Sequence, residues 1–178
     1  AVALQGHDDA AAIVAIFELA IERGVPFFND GDRAACAAVY EVAISSVSTL
    51  GQGTLLEPGC WITPAPDATI PVGGGCFLNR GVMLAAHDHI EIGDHVMFGN
   101  NCFVGDASHR FDDPDVPITW QGFESKGPVS IGSNCWFGVN CVVTSGVTIG
   151  DRCVIGANSV VTSDLPDGVI AAGSPAKV

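Results

Sequence analysis

Between Val129 and Val161 an aliphatic or aromatic residue returns at every sixth position: Ile131, Phe137, Val143, Ile149, Ile155 and Val161. Most of these are followed by glycine or another small residue. A period of six fits neither the 3.6-residue turn of an α-helix nor the alternation of a hairpin meander, and it is the signature of a parallel β-helix. In such a coil each strand is short and flat and each corner is tight. Gly, Asn or Asp relieves the backbone at the corner, while aliphatic and small residues fill a narrow interior. The same pairs occur earlier, at Val72-Gly73, Leu78-Asn79, Leu84-Ala85, Ile92-Gly93, Phe98-Gly99 and Val104-Gly105, with one insertion near residues 86–90.

The chain before the repeats has a different pattern. Asp8 or Asp9 can cap a helix running through AAAIVAIFELAIER, with Ile13, Ile16, Phe17 and Ala20 on one stripe and Gly24 and Pro26 ending it. A second, alanine-rich helix is expected from Asp30 or Asp32 to about Ile44, followed by a connector over 45–53. Pro58, Pro64, Pro66 and Pro71 exclude helix over 55–71 and suit an irregular first coil. After Val104 the hexads stop for GDASHRFDDPDVPITWQGFESKGP and then resume in phase. A loop this long inside a solenoid is functional or disordered, and its His109, Trp120, Phe123 and Glu124 count against disorder. The expected organisation is a helical segment, 1–54, and a β-helix domain, 55–178, interrupted by a loop over 105–128.

The charge balance, 7 Lys+Arg against 20 Asp+Glu, gives no field that would gather nucleic acid or anionic lipid. The apolar run Ala10 to Ile21 is too short to span a bilayer and contains Glu18, and no basic region precedes it. Of the seven cysteines, Cys76, Cys102, Cys135, Cys141 and Cys153 fall at the small inward position of a hexad. They read as core residues in a reducing, cytoplasmic compartment, and the spacings of a cysteine metal site are absent.

The stretches IGDHVMFGNN, the His-bearing loop with DPD and QGFESKGP, IGSNCWFGVN, GVTIGDRCVIGANSVVTSDLP and AAGSPAKV together resemble the hexapeptide-repeat acyltransferases, in particular the maltose/galactoside O-acetyltransferase branch. The resemblance implies a mainly β fold: a left-handed parallel β-helix with an N-terminal pair of α-helices and one long loop excursion. It further implies a homotrimer that moves an acetyl group from acetyl-CoA, a co-substrate and not a resident cofactor, to a hydroxyl on a small acceptor. By the same resemblance His109 is the general base, Glu124 the carboxylate that orients it, and the Val139 N–H the donor to the thioester oxygen. Ala157 and Thr162 meet the pantetheine arm with Val139, and Lys177 meets the nucleotide end. Asn79, His87 and Asp30 fall at acceptor-binding positions.

The chemistry fits those roles. Imidazole titrates near working pH, a carboxylate can fix its tautomer, and a backbone N–H is a pre-oriented partner for a developing oxyanion. Two departures stand out. Ser163 replaces a frequent lysine, and Ala86-His87 stand where adjacent aspartates bind acceptor hydroxyls, so maltose or galactose is not carried over as substrate. Two other readings stay open: a non-catalytic β-helix trimer or sugar-binding module, and a zinc-dependent γ-type carbonic anhydrase relative using His87, His89, His95 and His109. The histidine spacing does not suit the second.

Overall fold

The structure, a computed structural model, describes residues 49–178. The two expected N-terminal helices, and Asp30 with them, lie outside the described residues. What is described is a parallel β-solenoid of about six turns with three faces. The first face stacks Thr49–Leu50, Pro71–Val72, Ile90–Ile92, Val129–Ile131 and Thr148–Ile149. The second stacks Leu55–Leu56, Phe77–Leu78, Met97–Phe98, Trp136–Phe137, Val154–Ile155 and Ile170–Gly173, with Ala176–Lys177 folding back antiparallel on the last. The third stacks Trp61–Pro64, Met83–Ala86, Phe103–Gly105, Val142–Val143 and Val160–Val161.

Every hexad aliphatic points inward. Phe98 and Phe137, both fully buried, stack with centroids 4.7 Å apart. The corner cysteines Cys76, Cys102, Cys135, Cys141 and Cys153 are buried and free. Left-handed residues recur at the corners, most regularly in two columns. Gly75, His95, Asn134 and Arg152 form one; Gly81, Asn101, Asn140 and Asn158 form the other, all at φ between 56° and 73°. In the second column the amides bond to one another, Asn101 Nδ2 to Asn140 Oδ1 at 3.4 Å and Asn140 Nδ2 to Asn158 Oδ1 at 3.0 Å. Asn tolerates this conformation because its short amide finds a local partner.

One expectation about the start of the solenoid needs correction. The connector over 45–53 carries a strand, since Thr49–Leu50 pairs in parallel with Pro71–Val72. Leu50-Gly51 is itself an aliphatic-plus-glycine pair, one coil ahead of Val72-Gly73. The proline-rich stretch is the non-helical coil expected of it, its prolines at corners or at strand ends and Trp61–Pro64 pairing residue for residue with Met83–Ala86.

The outward residues differ by face. On the second face Leu55, Phe77, Met97, Trp136, Val154 and Ile170 lie in one cross-strand row. On the third, Trp61, Met83, Phe103, Val142 and Val160 do the same. The first face instead turns Glu91, Ser130 and Thr148 outward. Trp61, Trp136 and Ile170 are each more than half exposed.

Candidate active site

The long loop leaves the third face after Gly105 and rejoins the first at Val129. Its stems are tied, since Ser125 Oγ donates to the Asp106 carbonyl at 2.6 Å and the Lys126 N–H to Ser145 Oγ at 2.6 Å. Just outside, Ser108–His109 and Phe123–Glu124 form an antiparallel ribbon. Farther out Gln121 organises the DDPDVP turn: its Nε2 donates to the carbonyls of Asp113 and Val116, at 2.8 and 2.7 Å, and its Oε1 accepts from the Asp113 N–H. Arg110 grips Asp112 through two hydrogen bonds, which hold that carboxyl below its usual range. Both groups are exposed, so the pair shapes the loop more than it stabilises the fold.

Ribbon register decides what surrounds His109. Phe123 is its direct partner, with ring centroids 4.5 Å apart, and His87 approaches the same phenyl ring at 5.3 Å. Glu124 is paired with Ser108, and neighbouring side chains of a strand point to opposite faces. The carboxylate expected to orient His109 therefore projects from the other side of the ribbon, where its charge acts on Arg110. His109 meets an aromatic ring where a carboxylate was expected.

His87 stands on a corner that has two more residues than the regular coil, with 20 residues between stacked positions against 18. That corner is held by a group the sequence reading missed. Asp106, with no exposed surface, accepts hydrogen bonds from the backbone N–H of His87 at 2.6 Å, Asp88 at 2.8 Å and His89 at 2.7 Å. His89 is turned away from the loop, its Nδ1 2.6 Å from Thr69 Oγ1. His95 belongs to the left-handed corner column between the first and second faces. Among the described residues no three His, Cys, Asp or Glu side chains come together in a way that could hold a metal ion.

The remaining expected residues lie on a different edge, the corner between the second and third faces. Here Gly99, Gly138 and Gly156 stack, and a Cβ on Gly138 would meet the Ala157 nitrogen at 2.6 Å, so only glycine permits this spacing. The next residues, Asn100, Val139 and Ala157, form a column whose N–H groups have no acceptor among the described residues. The corner between the first and second faces is unlike this: there the N–H groups of Gly74, Asp94, Ser133 and Asp151 are each taken by an Asp or Ser side chain of the next coil. One edge is capped along its length and the other presents open donors. Asn79 stacks ahead of the glycines Gly99 and Gly138, and its Oδ1 accepts at 2.8 Å from the N–H of Arg80, the residue that precedes Asn100 in the donor column and is capped where the later ones are open. Thr162 is exposed at the end of the third face, and Lys177 is exposed on the closing hairpin.

Thus the structure gathers His109 and His87 about the Phe123 ring, and separately aligns Val139 with Ala157, Asn79 standing one residue before that column, but one copy does not join the two sets. A hexad separates those corners, and at about 3.3 Å per residue it spans on the order of 15–20 Å.

The comparisons agree with this architecture. Residues 128–163 match the family model described as the hexapeptide repeat of succinyl-transferase. A probable acetyltransferase of Mycobacterium tuberculosis (strain H37Rv) is 36% identical over 165 residues, covering 89% of this chain and 50% of the relative. A galactoside O-acetyltransferase of Lactococcus lactis is 34% identical over 131 residues, covering 74% of this chain and 61% of that protein. The chain carries the hexapeptide repeat and is similar to these acetyltransferases. A crystal structure of a hexapeptide-repeat acetyltransferase from Vibrio cholerae, complexed with acetyl-CoA, superposes with a TM-score of 0.65 at 26% identity, covering 98% of this chain and 90% of that one. The chain spans about half to three fifths of the length of the two curated relatives. Within this hexapeptide-repeat chain the matched span contains Val139, Ala157 and Thr162, whereas His109, His87 and Asn79 lie outside it.

Proposed function

We propose that this chain is an acetyl-CoA-dependent O-acetyltransferase that works as a homotrimer on a small hydroxyl-bearing acceptor, its coils wound left-handed as in the family it resembles. The observation that carries the reading is the open column of N–H donors at Asn100, Val139 and Ala157, facing solvent where the opposite corner is capped. A pantetheine arm has amide acceptors that suit such a row, and the thioester oxygen would take the Val139 N–H. As the acceptor hydroxyl attacks the thioester carbon, His109 removes its proton. The tetrahedral oxyanion is stabilised by the fixed N–H. The C–S bond then breaks, and the imidazolium returns its proton to the departing thiolate, giving acetylated acceptor and CoA. Glu124, across from Ser108 in the ribbon, adds negative charge beside the loop that carries the base, and Lys177 and Thr162 are the groups available to the distal parts of CoA.

The separation of His109 from Val139 within one copy favours a site shared between copies, and the apolar rows on the second and third faces suit contact of one face with the other in a closed ring. Buried free thiols suit a reducing cytoplasm. No helix among the described residues is long and apolar enough to cross a membrane. Replacing His109 by Ala tests the reading: acetyl transfer is expected to stop while assembly persists, and full transfer by that variant refutes the base.

A further inference from the structure

We propose that Asp106 is a positioning residue that sets the acceptor side of the active site, a role that rests on the acetyltransferase reading above. Among the described residues only Asp106 and Ser159 are polar and buried, and Asp106 alone of the two can carry charge. Burying a carboxylate is costly unless its oxygens are bonded. Here both oxygens are used: Oδ1 accepts from the His87 N–H and Oδ2 from those of Asp88 and His89. Three successive backbone N–H groups thus converge on one buried carboxylate and compensate the water it gives up.

The arrangement exceeds what the solenoid itself requires. The capped corners between the first and second faces use one exposed side chain for one N–H. The His87–His89 corner is two residues longer than that of the 18-residue coil, and its three successive donors are aimed at one carboxylate, whereas the still longer corner of the preceding coil gives its Ala65, Ala68 and Thr69 N–H groups to backbone carbonyls. The main chain of Asp106 does a second job, since its carbonyl receives Ser125 Oγ and so closes the loop that carries His109 three residues later. One residue therefore fixes the corner through its side chain and the loop through its backbone. The contact between them runs from the His87 ring to Phe123 at 5.3 Å and from Phe123 to His109 at 4.5 Å. His87 and Asp88 are exposed beside that imidazole, where a hydroxyl must arrive to be deprotonated. The donor edge at Val139 is a hexad away and untouched by Asp106.

The near-isosteric change Asp106→Asn tests this. It places an amide NH2 against at least one backbone N–H, so the corner must shift while the volume is kept. Steady-state kinetics are measured with acetyl-CoA and whichever member of a panel of sugars, amino sugars and simple alcohols the wild type acetylates fastest. The acceptor KM is expected to rise about tenfold and the acetyl-CoA KM to stay within about twofold, whereas a purely structural role would lower the active fraction and leave both KM values alone. Hydrogen exchange on the wild type gives a second reading that needs no variant to fold: the His87, Asp88 and His89 amides are expected to be protected and the Val139 amide to exchange freely. An unchanged acceptor KM in folded Asp106→Asn protein overturns the assignment, as do wild-type His87–His89 amides that exchange as fast as Val139. A wild type that shows no binding of acetyl-CoA in calorimetry overturns the acetyltransferase reading instead.

Discussion

Phe123 and His109 are direct cross-strand partners, their ring centroids 4.5 Å apart and their planes inclined by 31°. The imidazole is therefore held by its face, and among the described residues neither ring nitrogen bonds to protein. Both stay open to a substrate, at the cost of an orientation that depends on one phenyl ring. That ring is 53% exposed and stands clear of the solenoid core.

Replacing Phe123 by Ala should accordingly separate catalysis from stability. Loss of the platform lets the imidazole sample other rotamers, and misplacement of a base by about 1 Å can cost up to about a hundredfold in rate. The expected result is a kcat lower by at least about tenfold with a melting temperature near that of the wild type, read by steady-state kinetics and thermal unfolding.

Gly138→Ala addresses the donor edge. The added methyl would lie 2.6 Å from the Ala157 nitrogen and 2.8 Å from its Cα, both backbone atoms that cannot swing aside. The coils must part locally, with a loss of about 1–3 kcal/mol as for other overpacked sites. Chemical denaturation should show the loss, and the acetyl-CoA KM should rise because Val139 follows directly. Gly122→Ala is the control for crowding: nothing lies within 4 Å of its Cβ, and only its φ of 78° resists the change.

Alkaline pH should weaken the fold through its thiols. Burial pushes Cys135 and Cys60 from the ordinary value of 9.0 up to about 11. A group that holds its proton more tightly when folded contributes stability that is complete below pH 9 and is lost as pH rises to about 11, because the unfolded chain deprotonates first. Melting temperature should therefore fall between pH 9 and 11, and Cys135→Ala should flatten part of that slope.

The hexads were legible because inward residues recur along the chain itself: Ile131, Phe137 and Val143 occupy the interior expected of them, and the corner cysteines likewise. Asp106 was not, since its three partners lie 17–19 residues earlier and nothing local distinguishes it from a solvent-facing corner aspartate. The side of the ribbon on which Glu124 projects was equally hidden. It follows from a one-residue choice of register, which the loop composition leaves open and the Ser125 and Gln121 bonds decide. Leu50-Gly51 was readable as a hexad pair but stood alone ahead of the regular series.

The outward rows lead to the last expectation, which concerns assembly. Met97 and Trp136 are register partners on the second face, 49% and 52% exposed, in a row that continues through Phe77 and Val154. Apolar surface this continuous is uncommon on a monomer. If one copy's second face covers the third face of the next, a pair of carboxylates there has to be buried against Phe103 and Val142, and each unpaired buried charge is strongly unfavourable. The double change Met97→Glu, Trp136→Glu leaves the interior untouched, because both side chains point outward. Sedimentation velocity should show a trimer for the wild type and a folded monomer for the variant, with the solenoid's far-ultraviolet circular dichroism retained. Acetyl transfer should fall to background in that monomer even though His109 and Val139 are both present, since within one copy they sit at different corners. A variant that is monomeric and fully active would show that a single copy suffices.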